Sequence, residues 1–598
     1  MRDSDNGQKK FGGEKKFEGR RPQGEKKFDG PRGEKKFGDK RPHGEFKGEK
    51  KFGERKPYGE KKFDGERKPY GEKKFDRPQG EKRFDGPHGE RKFDGERKTY
   101  GEKKFDRPQG EKRFDGPRGE RKFDGERKPY GEKKFDRPHG DRRDRRSEKP
   151  APQKNARDVA LNALADVVRN EAYASQALDR ALTDVELSPE DRRLAASLFY
   201  FTVENRLQIE WALGGLMDSK PEPLVNDILH IAAAQILFMD RIPDHAAVDE
   251  AVKMVRYMGR PGLDKLVNGV LRSLIRARDE GGLNLPDPAE DPVKALSVRC
   301  SLAEPAVKRL VDAYGPELAE QIASHTPEER AMTVRPNTTK ISCAEFEAML
   351  DAQGVQWRHG AVANSYIVSG AGSLSGHEGY KSGLFSIQGE SSMLAAQAVE
   401  ARRGMQILDA CSAPGGKTCL MAEAMGGSGR VHAWDVHPHR VELVRAAAHR
   451  LELENVRPAV HDATKPMESM ELMMDAVLVD APCSGLGVMA DKPDIKFRTK
   501  EEDLVNILPL QKAILDACAK NVKVGGRLVY STCTILPEEN ELQVRAFLER
   551  HPEFEIDTTN AWLPESLRDR MEDGMLQLLP GRDGVEGFFI ARMIRRKL

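Results

Sequence analysis

Met405-Gln406-Ile407-Leu408-Asp409-Ala410-Cys411-Ser412-Ala413-Pro414-Gly415-Gly416-Lys417-Thr418 decides the fold. It opens as a short apolar strand, passes through a loop with two adjacent glycines, and runs into a helix. Gly415 and Gly416 permit close backbone approach to a ligand, and the helix start offers free N–H groups. A second strand, Val431-His432-Ala433-Trp434-Asp435, ends in an acid 20 residues after Gly415. In doubly wound nucleotide-binding folds an acid at this place accepts hydrogen bonds from ribose hydroxyls. The loop is neither G-x-G-x-x-G nor a P-loop. A ribose-binding acid without a phosphate cradle points to S-adenosylmethionine rather than NAD or ATP. Val460-His461-Asp462-Ala463 ends a third strand. Asp462 either faces an adenine there or caps a helix. Helices expected over 438–451, 501–523 and 537–550 complete a βα alternation. The fold class is therefore α/β, a doubly wound Rossmann-like domain over 396–598.

Two cysteines follow buried-strand patterns. Cys483 lies in Asp480-Ala481-Pro482-Cys483-Ser484-Gly485 after Ala476–Val479, and Cys533 in Tyr530-Ser531-Thr532-Cys533-Thr534 after Leu528–Tyr530. A parallel sheet presents its chemistry at the carboxyl ends of its strands. Two thiols on one rim suggest covalent chemistry that needs two sulfurs. The alternative is two unrelated buried cysteines acting as small hydrophobes. All seven cysteines lie beyond residue 299, their number is odd, and no pair has C-x2-C spacing. A disulfide framework or a zinc site is not expected, and reduced thiols in a reducing compartment are.

Upstream the composition changes twice. Residues 155–285 carry apolar residues at helical spacing and read as an all-helical domain ending in the linker Gly281–Pro288. Arg256, Arg260, Lys265, Arg272, Arg276 and Arg278 cluster late in it, either as an RNA-binding face or as a solvated helix face. Residues 292–395 read as further helix over 293–325 followed by a small α+β unit. Residues 1–154 form a tail. Positions 2–150 contain no Ala, Val, Leu, Ile, Cys or Trp, and 71–100 differs from 101–130 only at His88/Arg118 and Thr99/Pro129. Such repeats cannot bury enough apolar surface to offset their conformational entropy, so disorder is expected. Residues 1–150 carry a net charge of +17 and the remainder −14. Lys and Arg could neutralise phosphates while Phe and Tyr stack on unpaired bases. The alternative is a solvated linker grown by repeat slippage. Met1-Arg2-Asp3-Ser4-Asp5 opens no apolar stretch, and no uninterrupted apolar run approaches a membrane span of about 20 residues. A soluble, cytoplasmic protein is expected.

The blocks 408–418, 480–487 and 530–534, with the closing block Pro580-Gly581-Arg582-Asp583-Gly584-Val585-Glu586-Gly587-Phe588-Phe589, resemble the signature motifs of the Sun/Nop2-type RNA cytosine-C5 methyltransferases. The helical domain before them resembles a NusB-like RNA-binding domain. The resemblance covers about 155–598. It implies S-adenosyl-L-methionine as cofactor, no metal, and small-subunit (16S) ribosomal RNA as substrate, naked or early in assembly, with the chain acting as a monomer. Carried over residue by residue, Cys533 attacks cytosine C6 and Cys483 assists release. Asp480 holds the base or the cofactor amine, and Lys417 supports the network. Cys411, Ser412, Ala413, Pro414, Gly415, Gly416 and Lys417, with Asp435, Asp462 and Asp480, line the cofactor pocket. Where the family pattern has arginines before Pro493-Asp494-Ile495-Lys496, this chain has Met489-Ala490-Asp491-Lys492. The rivals are the same chemistry on transfer RNA or large-subunit RNA, and a non-catalytic RNA-binding or assembly factor.

Overall fold

The computed structural model describes residues 155–183, 185–326, 331–370 and 374–597. The repeat tail expected over 1–154 lies outside the described residues. No helix among the described residues is long and apolar enough to cross a membrane.

Seven helices build the first domain: α1 Ala156–Arg169, α2 Ala174–Thr183, α3 Pro189–Glu204, α4 Arg206–Gly214, α5 Pro223–Phe238, α6 Asp244–Tyr257 and α7 Asp264–Asp279. Helix α1 starts in a capping box, in which the Asn155 side chain and the N3 residue Asp158 satisfy each other's backbone N–H groups. Helix α5 is buried almost all round, from Val225 to Ile236, and forms the hub of the bundle. Leu164, Leu198, Phe199 and Leu271 close around it. Five of the six late basic positions have a local partner. Arg256 pairs with Asp264, Arg260 with Glu222, and Arg278 with Asp244 and Asp279, while Arg272 reaches Asn268 and Arg276 reaches Ser273.

The helix expected over 293–325 is divided. Helix α8, Pro292–Cys300, ends at Ser301 in the left-handed conformation, and α9, Glu304–Ser324, kinks at Gly315 (φ +76°) before Pro316. The proline ring disfavours a helical conformation at the residue before it, and glycine takes up the turn. A small antiparallel sheet follows, in the order β2-β3-β1-β4, made of β1 Met332–Pro336, β2 Gln356–His359, β3 Tyr366–Ser369 and β4 Phe385–Ile387. It packs Val334, Tyr366 and Phe385 against Phe346 of α10, Cys343–Ala352, and α11 is a single turn at Glu378–Lys381.

Helix α12, Glu390–Gln397, leads into the large sheet. Its parallel strands are β5 Gln406–Asp409, β6 Arg430–Asp435, β7 Val456–Val460, β8 Met474–Asp480 and β9 Val522–Thr532. Helices α13 Gly416–Ala424, α14 Pro438–Arg450, α15 Asp494–Arg498 and α16 Glu501–Ala519 connect them. The helix expected over 537–550 is a 3-10 turn at Pro537–Glu539, a break at Asn540, and α17 Glu541–Arg550. Strands β10 Phe554–Ile556, β11 Met571–Glu572, β12 Met575–Leu578 and β13 Phe588–Arg595 add the antiparallel edge. The strand order β11-β12-β13-β9-β8-β5-β6-β7 turns back between β5 and β8. That is the switch point outside which open α/β sheets bind ligands.

Short helix α15 joins the bodies. Arg498 donates to the carbonyls of Val167 (2.6 Å) and Ala172 (2.7 Å) and pairs with Asp494 (2.8 Å). Asp494 in turn accepts from the Ala174 N–H, and Lys496 donates to the carbonyl of Cys300. Arg335 of β1 forms a buried ion pair with Glu423 of α13 and donates to Gln388 at 2.7 Å. Arg498→Ala strips two carbonyls and a buried carboxylate of their donor at once. It should cost about 2 kcal/mol in chemical denaturation and speed protease cleavage in the 281–288 linker.

Candidate active site at the carboxyl rim

The rim is built from strand ends. Asp409 closes β5, Asp435 closes β6, Asp480 closes β8 and Thr532 closes β9, so four adjacent strands deliver polar groups to one edge. In the loop after β5, both the N–H and the hydroxyl of Ser412 donate to the Trp434 carbonyl (2.8 and 2.9 Å), which ties the loop to β6. Gly415 sits at φ +110°, and a Cβ there would lie 3.2 Å from the Val444 backbone of α14. The glycine is required both by conformation and by that close approach.

Asp435 is buried. It accepts from the His437 N–H at 3.0 Å and pairs with Arg440 at 3.2 Å, and Arg440 also donates to the Ala413 carbonyl. Each carboxylate oxygen retains acceptor capacity beyond these bonds. Asp409 accepts from the Thr418 hydroxyl at 2.6 Å through one oxygen, and its other oxygen is buried without a partner. Burial pushes its carboxyl up to about 7. Asp462 lies two residues past the end of β7 and caps a turn by accepting from the Thr464 N–H and hydroxyl. These bonds and the Lys465 contact hold its carboxyl down at about 2. Its capping role is thus local, while the half-exposed pair with Lys465 leaves the carboxylate facing solvent.

Next to this loop lies a charged pair. Lys417 Nζ is 2.8 Å from Asp480 Oδ2 and 5.3 Å above the centre of the Phe588 ring. Ser531 donates to the other oxygen of Asp480 at 2.9 Å. Burial works against the Lys417 charge, but the Asp480 carboxylate more than offsets it, and the ammonium is held above its ordinary value.

The two cysteines meet. Cys483 Sγ and Cys533 Sγ are 3.1 Å apart, which removes the reading of two unrelated buried thiols. The pair is asymmetric. Cys533 is lowered from the ordinary thiol value, first by the hydrogen bond from Cys483 and then by the charges of Lys492 and Lys417. Cys483 is raised by donating that bond, by burial, and by the nearby Cys533, Glu539 and Asp480 charges. Burial pushes Cys300, Cys411, Cys419 and Cys518 up as well. Thiolate character, which makes a cysteine a nucleophile, therefore concentrates at Cys533.

Sequence reasoning missed two contributors. Lys492 stands in the segment where the family pattern has arginines, and its charge favours the Cys533 thiolate. Glu539, wholly buried, accepts from Ser484 and Gln511 beside the same pair. The signal was the Glu538-Glu539-Asn540 run placed where a helix was expected. The closing block also reaches the site. The Gly587 N–H donates to the Gly487 carbonyl at 2.9 Å, and the Gly487 N–H donates to the Cys533 carbonyl at 3.0 Å. A Cβ on Gly487 would come within 2.1 Å of the Gly587 carbonyl oxygen. The histidines near the rim stay structural, with His461 packed on Trp434 and hydrogen-bonded to the Lys465 carbonyl.

Residues 396–594 match the family model described as 16S rRNA methyltransferase RsmB/F, and residues 154–276 match the NusB family. A Bacillus subtilis protein named probable ribosomal RNA small subunit methyltransferase B is 38% identical over 446 residues, 74% of this chain and 99% of that protein. The chain belongs to the RsmB/F methyltransferase family. An Escherichia coli O1:K1 relative, named ribosomal RNA small subunit methyltransferase B, is 31% identical over 74% of this chain and 99% of its own length. The solved structure of PH0851 aligns with a TM-score of 0.64 at 24% identity, covering 73% of this chain and 97% of that one, a likeness of fold. As an RsmB/F member the chain is an S-adenosyl-L-methionine-dependent rRNA methyltransferase with an N-terminal NusB-type domain.

Two outcomes test this geometry. In site-resolved alkylation with iodoacetamide, Cys533 should become reactive with a pH midpoint below the ordinary 9.0 and Cys483 with one above it. Gly415→Ala should lower stability by about 1–3 kcal/mol in thermal unfolding and weaken S-adenosyl-L-methionine binding in equilibrium dialysis.

Proposed function

We propose that this RsmB/F member methylates C5 of a cytosine in 16S rRNA through a covalent bond between Cys533 and C6, with Cys483 assisting release. The observation that carries the reading is the 3.1 Å contact between two thiols of opposite electrostatic bias, beside a cofactor-type loop.

The rim fits the methyl donor. Asp435 offers acceptors for a ribose diol, Asp409 has one buried oxygen without a partner, and Gly415 lets the loop lie close against α14. Asp435, Asp462, Asp480 and the 411–417 loop would hold it. S-adenosyl-L-methionine supplies an electrophilic methyl group on a sulfonium sulfur. Cytosine C5 is a poor nucleophile until something adds to C6. The Cys533 thiolate does so, forming an S–C6 bond and pushing electron density to C5. Lys417 and Asp480 form an ion pair at the end of β8, and Asp480 offers an acceptor to the base amine. After transfer, the C5 proton passes to a base from solvent, its electron pair re-forms the C5=C6 double bond, and the S–C6 bond breaks so that the sulfur leaves as the Cys533 thiolate. Cys483, held as a thiol against Cys533, is placed to assist that departure.

The small-subunit names of the relatives and the NusB-type domain support 16S rRNA over transfer RNA or large-subunit RNA. A non-catalytic assembly factor would have no use for a polarised thiol pair. Cys533→Ala should abolish methylation and leave no covalent RNA adduct. Cys483→Ala should accumulate an adduct that survives denaturing gels. Normal turnover by Cys533→Ala would refute the role assignment, and bisulfite sequencing of rRNA from cells lacking the protein would identify the nucleotide.

A further inference from the structure

One carboxylate holds the residues that follow both cysteines. Ser484 follows Cys483 and Thr534 follows Cys533. The Ser484 N–H donates to Glu539 Oε2 at 3.0 Å, and the Ser484 hydroxyl donates to Oε1. The Thr534 hydroxyl lies 3.2 Å from Oε1 and 2.7 Å from the Ser484 oxygen. Gln511 of α16 donates to Oε2 at 2.9 Å and to the Pro482 carbonyl at 3.0 Å. The backbone of Glu539 is fixed too, because its carbonyl accepts from the Tyr530 hydroxyl at 2.7 Å. Its neighbour Asn540 accepts from the Thr532 hydroxyl at 2.6 Å and donates to the Thr534 carbonyl at 3.1 Å. Both cysteine loops therefore hang on the Glu539–Asn540 step.

The chemistry of the cradle suits a charge. Burial raises the Glu539 carboxyl, and hydrogen bonds from Ser484, Gln511 and Thr534 oppose it. An ionised carboxylate only accepts, and its partners here are N–H and O–H donors. Burying a carboxylate is costly, and it is tolerated where donors compensate it. The charges around the thiols are sorted as well. Glu539 and Asp480 act on Cys483, while Lys492 and Lys417 oppose Asp480 at Cys533.

We propose that Glu539 is a positioning residue whose buried carboxylate fastens the two cysteine loops side by side and, by its charge near Cys483, favours Cys533 as the thiol that ionises first. This rests on the reading of Cys533 as nucleophile, but its test does not. Full-length Glu539→Gln presents an N–H group to a nest of donors and removes the charge. If it folds by circular dichroism, KM for a 16S rRNA fragment should stay within roughly threefold, while kcat falls on the order of a hundredfold, as expected for misplaced reacting groups. In site-resolved iodoacetamide alkylation, the pH midpoint of Cys533 should move up and its separation from Cys483 should narrow. Ser484→Ala, which removes one strap, should shift both readouts in the same direction by less, and it carries the test if Glu539→Gln does not fold. Glu539→Asp keeps the charge and should recover more of the midpoint separation than Glu539→Gln. Unchanged midpoints in the folded variants would overturn the proposal, even with kcat lowered, because a merely structural role leaves the proton distribution alone. Persistent methylation by Cys533→Ala, together with a midpoint separation that narrows in Glu539→Gln, would refute the nucleophile assignment and leave the role of Glu539 standing.

Discussion

The parallel pairing of β8 with β9 is the constraint on which the site depends. Its register sets Asp480 opposite Ser531, and the bond from the Ala481 N–H to the Ser531 carbonyl carries the pairing one step past the strand end. Beyond it the two chains separate into loops whose thiols come to 3.1 Å. Two sulfurs that close cannot both ionise readily, so their surroundings decide which of them ionises first. Acidic groups gather on the Cys483 side, and lysines act on Cys533. The Lys417–Asp480 pair belongs to the same arrangement, since Ser531 fixes the carboxylate that fixes the lysine.

The helical domain is coupled to this rim by a short path. Lys492 acts on Cys533, and two residues later α15 begins, with Asp494 and Arg498 gripping the ends of α1 and α2. The NusB-type body and the electrostatics of Cys533 are thus separated by only a few residues of chain. The small antiparallel sheet is anchored independently, through the buried Arg335–Glu423 pair on α13. Breaking such a pair strands a charge in the interior, so it fixes that subdomain against the helix following the cofactor loop.

Much of this was legible in the sequence because it is local. The strand-loop-helix around Gly415 and the strands before Cys483 and Cys533 follow from apolar runs punctuated by glycine and proline. What escaped depends on contacts between distant segments. The periodicity over 537–550 suggests one helix, yet Asn540 breaks it to bond Thr532 and Thr534, and the break turns Glu539 inward. Lys492 looked like a departure from the family's arginines, and only folding brings its charge to bear on Cys533. Asp462 kept both roles open, and its capping bonds to Thr464 are the part the fold displays. Of the late basic cluster, Arg256, Arg260 and Arg278 are engaged in ion pairs, which at that exposure are worth roughly 0–1 kcal/mol each and compete weakly with phosphate.

The crossing of Gly487 and Gly587 bears on how the protein is made. Strand β9, which leads into Cys533, is flanked by β8 on one side and on the other by β13, a strand that follows it by more than fifty residues of chain. The loop between the cysteines is pinned by Gly587, and Phe588 lies under Lys417. A nascent chain that has emerged only as far as Cys533 has a sheet with an open edge and no roof over its thiols. The surroundings of Cys533 are therefore complete only when β13 has paired with β9 and the Gly587–Phe588 step has closed over the loop.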